Sequence, residues 1–445
     1  MNFFLRSLTL LTVLACVCGA IDAPRVAAYI QGTFIANSYC DSATAYSSRR
    51  IFAKTNDGVY YAAAAFSVNQ NNQPPYALRI YSSTDGGGAW TMITDPSITI
   101  GNYAKGFTIA VDSTGALHLT WHAWETGETG HIYYKKFSGG SWSANEQVSA
   151  TTENGGRSPQ VAIDSTDAVN IVWQTESNGT TYYRKKTGTS WSSIQNIGNL
   201  GAQTSLAVDY INNLHVVGGY TDSTLKYVKS TSGSWGTVET ISTSDSPRHA
   251  SIVVDSSNNP HVVWCDDGYA TGKWKIFYST RTTGWSARSL LSDSNISYHD
   301  PNIAIDISNT LYVFSSKIAG LNQVQLAFTT KPSAGPWTPE VVHTEVTTNA
   351  RAAQFRWSAW PTGNRVTGES DLDLVYFERE SGGSIILYPI KFNRGLAQIQ
   401  PTPTPSPSPT ATPLASPTPA PVPAVSSTGW LILALGITFL LLRRR

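Results

Sequence analysis

Through the middle of the chain, short apolar runs alternate with clusters of turn residues, and the same order keeps returning. In Gly156–Trp191 an apolar triplet ends in Asp164, an apolar run ends at Trp173, and the pair Tyr182-Tyr183 and then Trp191 follow. The frame recurs around Asp112, Asp209, Asp255 and Asp306, so successive copies of the aspartate stand 52, 45, 46 and 51 residues apart. Six residues after each stand His118, Asn170, His215, His261 and Tyr312; nine after stand Trp121, Trp173, Gly218, Trp264 and Ser315. The apolar segments are short, rich in Val, Ile, Tyr, Trp and Thr, and bounded by turns such as Asp-Ser-Thr-Gly and Ser-Asn-Gly, which predicts β-strands. No apolar stripe of 3.6-residue period runs through this region, so helices are not expected in it.

Four short strands per repeat, at this period, are the signature of propeller blades, and the expected fold class is an all-β propeller. Arg49–Trp90 reads as one further blade before the five repeats. Arg351–Phe392 reads as an incomplete one after them, short of a fourth strand. Arg25–Ala36 reads as a strand with no local partner, and placing it in that last blade closes a ring of seven, with six as the alternative count. Closure matters because it removes the open sheet edges on which other chains could pair.

The ends differ in composition from the repeats. Residues 1–20 carry Arg6, then the apolar run Leu8–Val17, then Cys-Gly-Ala, the order of a secretory signal peptide. The propeller domain is expected over 21–396, a Pro/Thr/Ser-rich linker over 397–424, and an apolar segment with an arginine cluster over 425–445. Ten prolines in Pro401–Pro423 keep the linker extended. Gly429–Leu442 is almost wholly apolar but shorter than the roughly 20 residues of a membrane span, unless its flanks contribute. The layout of a Pro-containing motif, an apolar helix and Arg443-Arg444-Arg445 resembles bacterial C-terminal sorting signals of the PEP-CTERM or IPTL-CTERM kind. That resemblance implies an exported protein held at the cell surface or membrane.

A net charge of +1, with 14% charged residues, gives the chain no field to steer a polyanion. The absence of basic clustering apart from the terminal arginines argues against nucleic acid as a partner. Outside the leader only Cys40 and Cys265 remain, which allow one disulfide and make no metal motif.

Ser83–Trp90 (Ser-Thr-Asp-Gly-Gly-Gly-Ala-Trp) fits the Ser-x-Asp-x-Gly-x-x-Trp box of sialidase-type BNR-repeat propellers, and the repeats over Arg49–Phe392 resemble the units of that family. The resemblance implies the fold; the box itself is a turn device in which the carboxylate accepts backbone N–H groups. Sialidase chemistry would need three arginines, a Tyr–Glu nucleophile and an acidic residue. Arg50-Ile51 matches the start of the family's Arg-Ile-Pro motif, but Phe52 replaces the proline. The loop Val68–Tyr76, which should supply the acid, contains no carboxylate. Retaining hydrolysis requires two groups flanking the anomeric carbon, so the sequence leans toward binding over catalysis.

The repeat register supplies the site candidates. Seven residues before each aspartate, at the start of the innermost strand, stand Lys105, Arg157, Ala202, Arg248 and His299, with Arg50 and Arg351 near the corresponding point in the end blades. Arginines converging on a channel mouth suit bidentate capture of a carboxylate or sulfate. The second strands end on the same face with Glu125, Glu176, Asp222, Asp266 and Asp267, which either pair with the cations or contact ligand hydroxyls. His118, His215 and His261 each occupy one blade and are too far apart to share a metal, and no cofactor is expected. Trp121, Trp173 and Trp264 read as blade packing, whereas Trp124, Tyr269, Trp274 and Tyr298 read as off-frame rings able to stack on sugars. The expected role is binding of an acidic carbohydrate or other anion, with a sialidase-type hydrolase and an adhesive scaffold for protein partners as alternatives.

Overall fold

The structure is a computed structural model. It describes residues 33–38, 50–67, 75–94, 98–101, 106–123, 130–150, 156–175, 179–219, 223–244, 246–266, 271–320, 323–347, 374–377, 380–382 and 385–393. Its regular elements are β-strands, arranged as a propeller. Six sheets follow one another in chain order, each an antiparallel meander. Blade one begins Phe52–Lys54, blade two Phe107–Val111, blade three Gly156–Ile163, blade four Ala202–Val208, blade five Arg248–Val254 and blade six Ser297–Ile305. These first strands neighbour one another around the ring. The second strands in the same order are Tyr60–Ser67, Leu117–Ala123, Val169–Thr175, Leu214–Gly219, Pro260–Asp266 and Leu311–Gly320.

The first and second strands are buried on both faces almost throughout, and successive side chains alternate between them, so one side of a blade faces its predecessor and the other its successor. Ala162 and Val172 of blade three meet Leu206, Val208 and Val216 of blade four in one apolar seam. Ala207 and Val217 turn the other way, toward Ala250, Ile252 and Trp264 of blade five. The repeated tryptophan faces backward: Trp173 packs with Ile132 and Tyr134 of blade two, and Trp264 with Tyr227 of blade four. In blades three to six the tryptophan of the outer turn then stands edge-on against the preceding blade's tyrosine. The centroid separations are 5.4 Å for Trp191 on Tyr134, 5.1 Å for Trp235 on Tyr183, 5.0 Å for Trp285 on Tyr227 and 5.1 Å for Trp337 on Tyr278. Such edge-to-face pairs contribute about 0.5–1.5 kcal/mol each beyond the area they bury.

The repeated aspartate ends the first strand and organises the turn behind it. Asp164 Oδ1 accepts from Thr166 N at 3.0 Å and Ala168 N at 3.1 Å. In blade four Asp209 does the same for Ile211 N and Asn213 N, and its Oδ2 lies 3.2 Å from His215 Nε2. His215 Nδ1 in turn lies 2.8 Å from Tyr227 Oη. Blades two and five repeat this Asp–His–Tyr line with Asp112, His118, Tyr134 and with Asp255, His261, Tyr278. The histidines therefore act within their own blades. Three residues past the aspartate, Asp167, Asn212, Asn258 and Asn309 adopt left-handed backbone, with φ of 59°, 65°, 64° and 61°. Their side-chain oxygens accept from the preceding blade: Ser113 N at 2.8 Å, Ser165 N at 2.9 Å, Tyr210 N at 3.0 Å and Ser256 N at 2.9 Å. Asn and Asp are the side chains that tolerate this conformation best, which accounts for their place in the repeat.

A seventh sheet joins the two ends of the domain. Thr33–Ser38 pairs antiparallel with Ile385–Asn393, Thr33 opposite Phe392, and Leu374–Phe377 pairs on the other edge. The strand expected over Arg25–Ala36 is thus described from Thr33 onward, and it runs two residues further. This sheet seats on blade one through Phe392, whose ring lies 5.7 Å from Phe52, 5.1 Å from Tyr60 and 5.4 Å from Trp90. The Ser83–Trp90 turn shapes that seat: Asp85 Oδ1 accepts from Ala89 N at 2.9 Å, and Phe392 presses against Gly87, whose φ is +90°. The chain divides at Ile399/Gln400 into two units, and the second, with the expected linker and apolar tail, lies outside the described residues, as does the leader.

Candidate functional site

Register fixes which end of the ring carries the predicted site. Gly156 pairs with Thr175 at one end of blade three and Ile163 with Val169 at the other. First-strand starts and second-strand ends therefore share one face, and the aspartate turns occupy the opposite face. Close to each first-strand start the pairing slips: between Arg157 and Gln160, Ala202 and Ser205, Arg248 and Ser251, His299 and Asn302. A bulge of this kind re-aims side chains at a rim. Its pivot is a left-handed residue six before the aspartate, namely Ser158 (φ 55°), Gln203 (φ 60°), His249 (φ 54°) and Asp300 (φ 51°).

These pivots connect across blades. The His249 N–H donates to Gln203 Oε1 at 3.1 Å, and His249 Nδ1 pairs with Asp300 Oδ1. Beside them, the Arg248 guanidinium lies 4.8 Å from the Trp274 ring centroid, and Arg248 Nε donates to Ser246 Oγ at 2.9 Å. The His299 ring stands 6.0 Å from the same tryptophan. Arg248, Trp274 and His299 thus form one half-buried group between blades five and six, and the His249–Asp300 pair links the residues that follow Arg248 and His299 in sequence. A guanidinium held over an indole is limited in its orientations, which suits capture of a planar carboxylate or a sulfate.

The other predicted residues separate into three groups. Arg157 starts blade three in the same register slot, opposite Gln174 of the second strand. Arg50 departs from the expected ring: in the repeat frame it stands two residues deeper than Arg157, and its Nη2 donates to Leu206 O of blade four at 3.0 Å. It spans between first strands three blades apart and acts there as a strut, because a long cation reaches the carbonyls that the inner strand edge leaves unpaired. Asp266 also departs. It is fully buried; its carboxylate accepts from Ser246 N at 2.8 Å and Trp264 Nε1 at 3.3 Å, bonds Ser244, and lies 3.6 Å from Arg288 Nη1. These bonds lock the strand end, and the nearby cation comes from the outer part of its own blade.

Tyr298, expected as a stacking ring, is a core residue at 1% exposure among Ile276, Tyr278 and Ile303, so of the off-frame aromatics described, Trp274 alone stands at the rim. Cys265 is a buried free thiol 3.5 Å from Arg248 O, and burial pushes its pKa up. Lys105, Arg351, Glu125, Glu176, Asp222, Asp267, Trp124, Tyr269 and Cys40 lie outside the described residues. Among the described residues no group of three or more His, Cys, Asp or Glu is placed to hold a metal ion. The pivot column was missed from sequence, although its polar run of Ser158, Gln203, His249 and Asp300, one residue after the cation column, was there to be read.

No family model and no curated protein matches the chain. Solved structures do. An ulvan lyase, from a new family of polysaccharide lyases, superposes with a TM-score of 0.56 at 12% identity, over 81% of this chain and 94% of that one. The same lyase bound to -[GlcA(1-4)Rha3S]- gives 0.55 at 11% identity, over 82% and 94%. A lectin from Burkholderia pseudomallei gives 0.55 at 14% identity, over 80% and 98%. At such identities the likeness is one of fold, and it makes this chain a β-propeller of the architecture those proteins share.

Proposed function

We propose that this chain is a carbohydrate-binding propeller that takes an acidic glycan at the channel mouth, chiefly between blades five and six, and that the terminal sheet is its seventh blade. In this reading the protein is exported and displayed at the cell surface on its proline-rich stalk. The observation that carries it is the Arg248–Trp274–His299 group, a cation and two rings at the rim where six first strands begin. Solved propellers of this architecture include a lectin and a lyase bound to a glucuronate-containing saccharide, which accords with a glycan ligand. Binding without hydrolysis is favoured because the described acids at this face, Asp266 and Asp300, are both buried and bonded. A glycosidase needs one acid to give a proton and a second group across the ring.

The test is a glycan array probed with wild type, Arg248→Ala and Arg248→Lys, with neutral, sulfated and uronate glycans. A charge-assisted hydrogen bond contributes about 1.5–3 kcal/mol, so Arg248→Ala should weaken an acidic ligand roughly ten- to a hundredfold and leave any neutral ligand unmoved. Arg248→Lys should recover part of the loss. Identical binding of all glycans by all three proteins would overturn the proposal.

A further inference from the structure

The seam between blades three and four is built unlike its neighbours. The repeat puts a backward-facing tryptophan in the second strand, but blade four has Gly218. A Cβ there would sit 2.6 Å from Leu200 O and 3.2 Å from Thr204 Cγ2, so the connection into blade four has closed over the place of the missing ring. Three polar side chains border the same seam. Gln160 lies opposite Val172 and shares its face toward blade four; Gln174 is two residues beyond Val172 on that face. Thr204 approaches from blade four, on the side of Gly218. They are 2%, 4% and 0% exposed, and Gln160 Nε2, Gln174 Oε1 and Thr204 Oγ1 have no hydrogen-bond partner. In blades two and five the position of Gln160 is satisfied across its seam: Thr108 Oγ1 accepts from Val161 N at 3.0 Å, and Ser251 Oγ donates to Asn302 Oδ1 at 3.1 Å; in blade four Ser205 Oγ has no partner either.

Buried polar atoms without partners are rare and costly in native structures, and a cluster of them facing one seam points to a ligand group that completes them. Donor, acceptor and hydroxyl together match the hydroxyls of a sugar, which give and accept hydrogen bonds alike. Gln174 stands at the mouth end of the seam, where its cross-strand partner is Arg157. Resting on the acidic-glycan reading above, we propose that the seam of blades three and four is a second subsite, in which Gln160, Gln174 and Thr204 hold the hydroxyl groups of a further sugar unit. The ligand is then an oligosaccharide lying across the mouth. Between the two seams the charged column is interrupted by Ala202, whose small side chain leaves clearance for a passing chain.

Binding of glucuronate and of a hyaluronan tetrasaccharide is to be measured by calorimetry for the full chain, the Gln160→Leu/Gln174→Leu double variant and Thr204→Val, with the ligand-free Tm of each. Wild type should bind the tetrasaccharide at least tenfold more tightly than glucuronate. The double variant should lose that gain yet keep glucuronate binding, while its ligand-free Tm rises by a few degrees, since apolar groups of like volume relieve stranded ones. Thr204→Val should lose part of the gain. No tetrasaccharide advantage in wild type, or an advantage undiminished in both variants, overturns the subsite. An undiminished advantage with a lowered Tm identifies ordered water as the only occupant of the seam. If wild type binds neither saccharide, the primary site at Arg248 fails first, and Arg248→Ala then changes nothing.

Discussion

Replacing Asp209 with alanine tests how far the repeated aspartate holds a blade together. The residue is 1% exposed and its carboxylate meets four hydrogen-bond donors: Ile211 N at 3.0 Å, Asn213 N at 2.7 Å, Asn213 Nδ2 at 2.8 Å and His215 Nε2 at 3.2 Å. Because a carboxylate only accepts, His215 must carry its proton on Nε2, and Nδ1 takes the Tyr227 hydroxyl proton. Ile211 is 66% exposed, so water replaces its lost partner. Asn213 and His215 are buried, at 4% and 0%, and are left with stranded donors. At about 1–3 kcal/mol for each of these two groups, Asp209→Ala should cost about 2–6 kcal/mol. Urea unfolding followed by tryptophan fluorescence reads that difference as a lower midpoint. A loss below about 1 kcal/mol would refute the reasoning.

The pH dependence of the same variant gives an independent check. Burial alone would raise the Asp209 pKa, but the hydrogen bonds from His215, Asn213 and Ile211 outweigh it and hold the carboxyl well below its ordinary value. A folded-state pKa below the unfolded one contributes stability above the unfolded value, about 3.9, that is lost as pH falls through the folded one. The gap between wild type and Asp209→Ala should therefore be widest near neutral pH and narrow progressively below about pH 4.

Gly218→Ala should destabilise by about 1–3 kcal/mol in the same assay, because the new methyl meets backbone at Leu200 O rather than a side chain that can turn away. Phe392→Ala should cost about 3–5 kcal/mol, since a ring 2% exposed among three aromatic neighbours leaves a cavity behind. Asn258→Ala should cost only about 0.5–1.5 kcal/mol, because the bond it makes to Tyr210 N is solvent-exposed; a loss as large as that of Asp209→Ala would show the latch to be a main support of the seam.

The architecture was legible in the sequence because short apolar runs and turn chemistry, repeated in one register, are local signals. Each aspartate could be placed from its apolar triplet, and His118, His215 and His261 could be assigned to separate blades from their common register alone. The site was less legible. Arg157 and Arg248 shared a slot in the frame, but nothing local showed that the next residue turns left-handed, since Gln and His carry no strong preference for it. Arg50 was aligned by its neighbourhood to arginines that stand two residues earlier in their repeats, and its reach to Leu206 depends on a part of the ring distant in sequence. Tyr298 stands eight residues before Asp306, where Gly156 stands in blade three, so its burial was a tertiary outcome that its aromatic character hid. Of the acids expected at that face Asp266 is the one described, and its cationic neighbour Arg288, 3.6 Å away, is one that no repeat position announced.

The left-handed latch has a consequence for how such a ring can grow. Blades three, four and five each carry both halves of the contact, the N–H just after the aspartate and the side-chain acceptor two residues later, so any of these units can follow any other. A tandem copy inserted between two existing blades brings a working lock for each new neighbour. The number of blades is then open to change by duplication or loss of whole units, without compensating substitutions at the joins. The junction of blades one and two lies outside that freedom, because Gly115 stands where the acceptor would be.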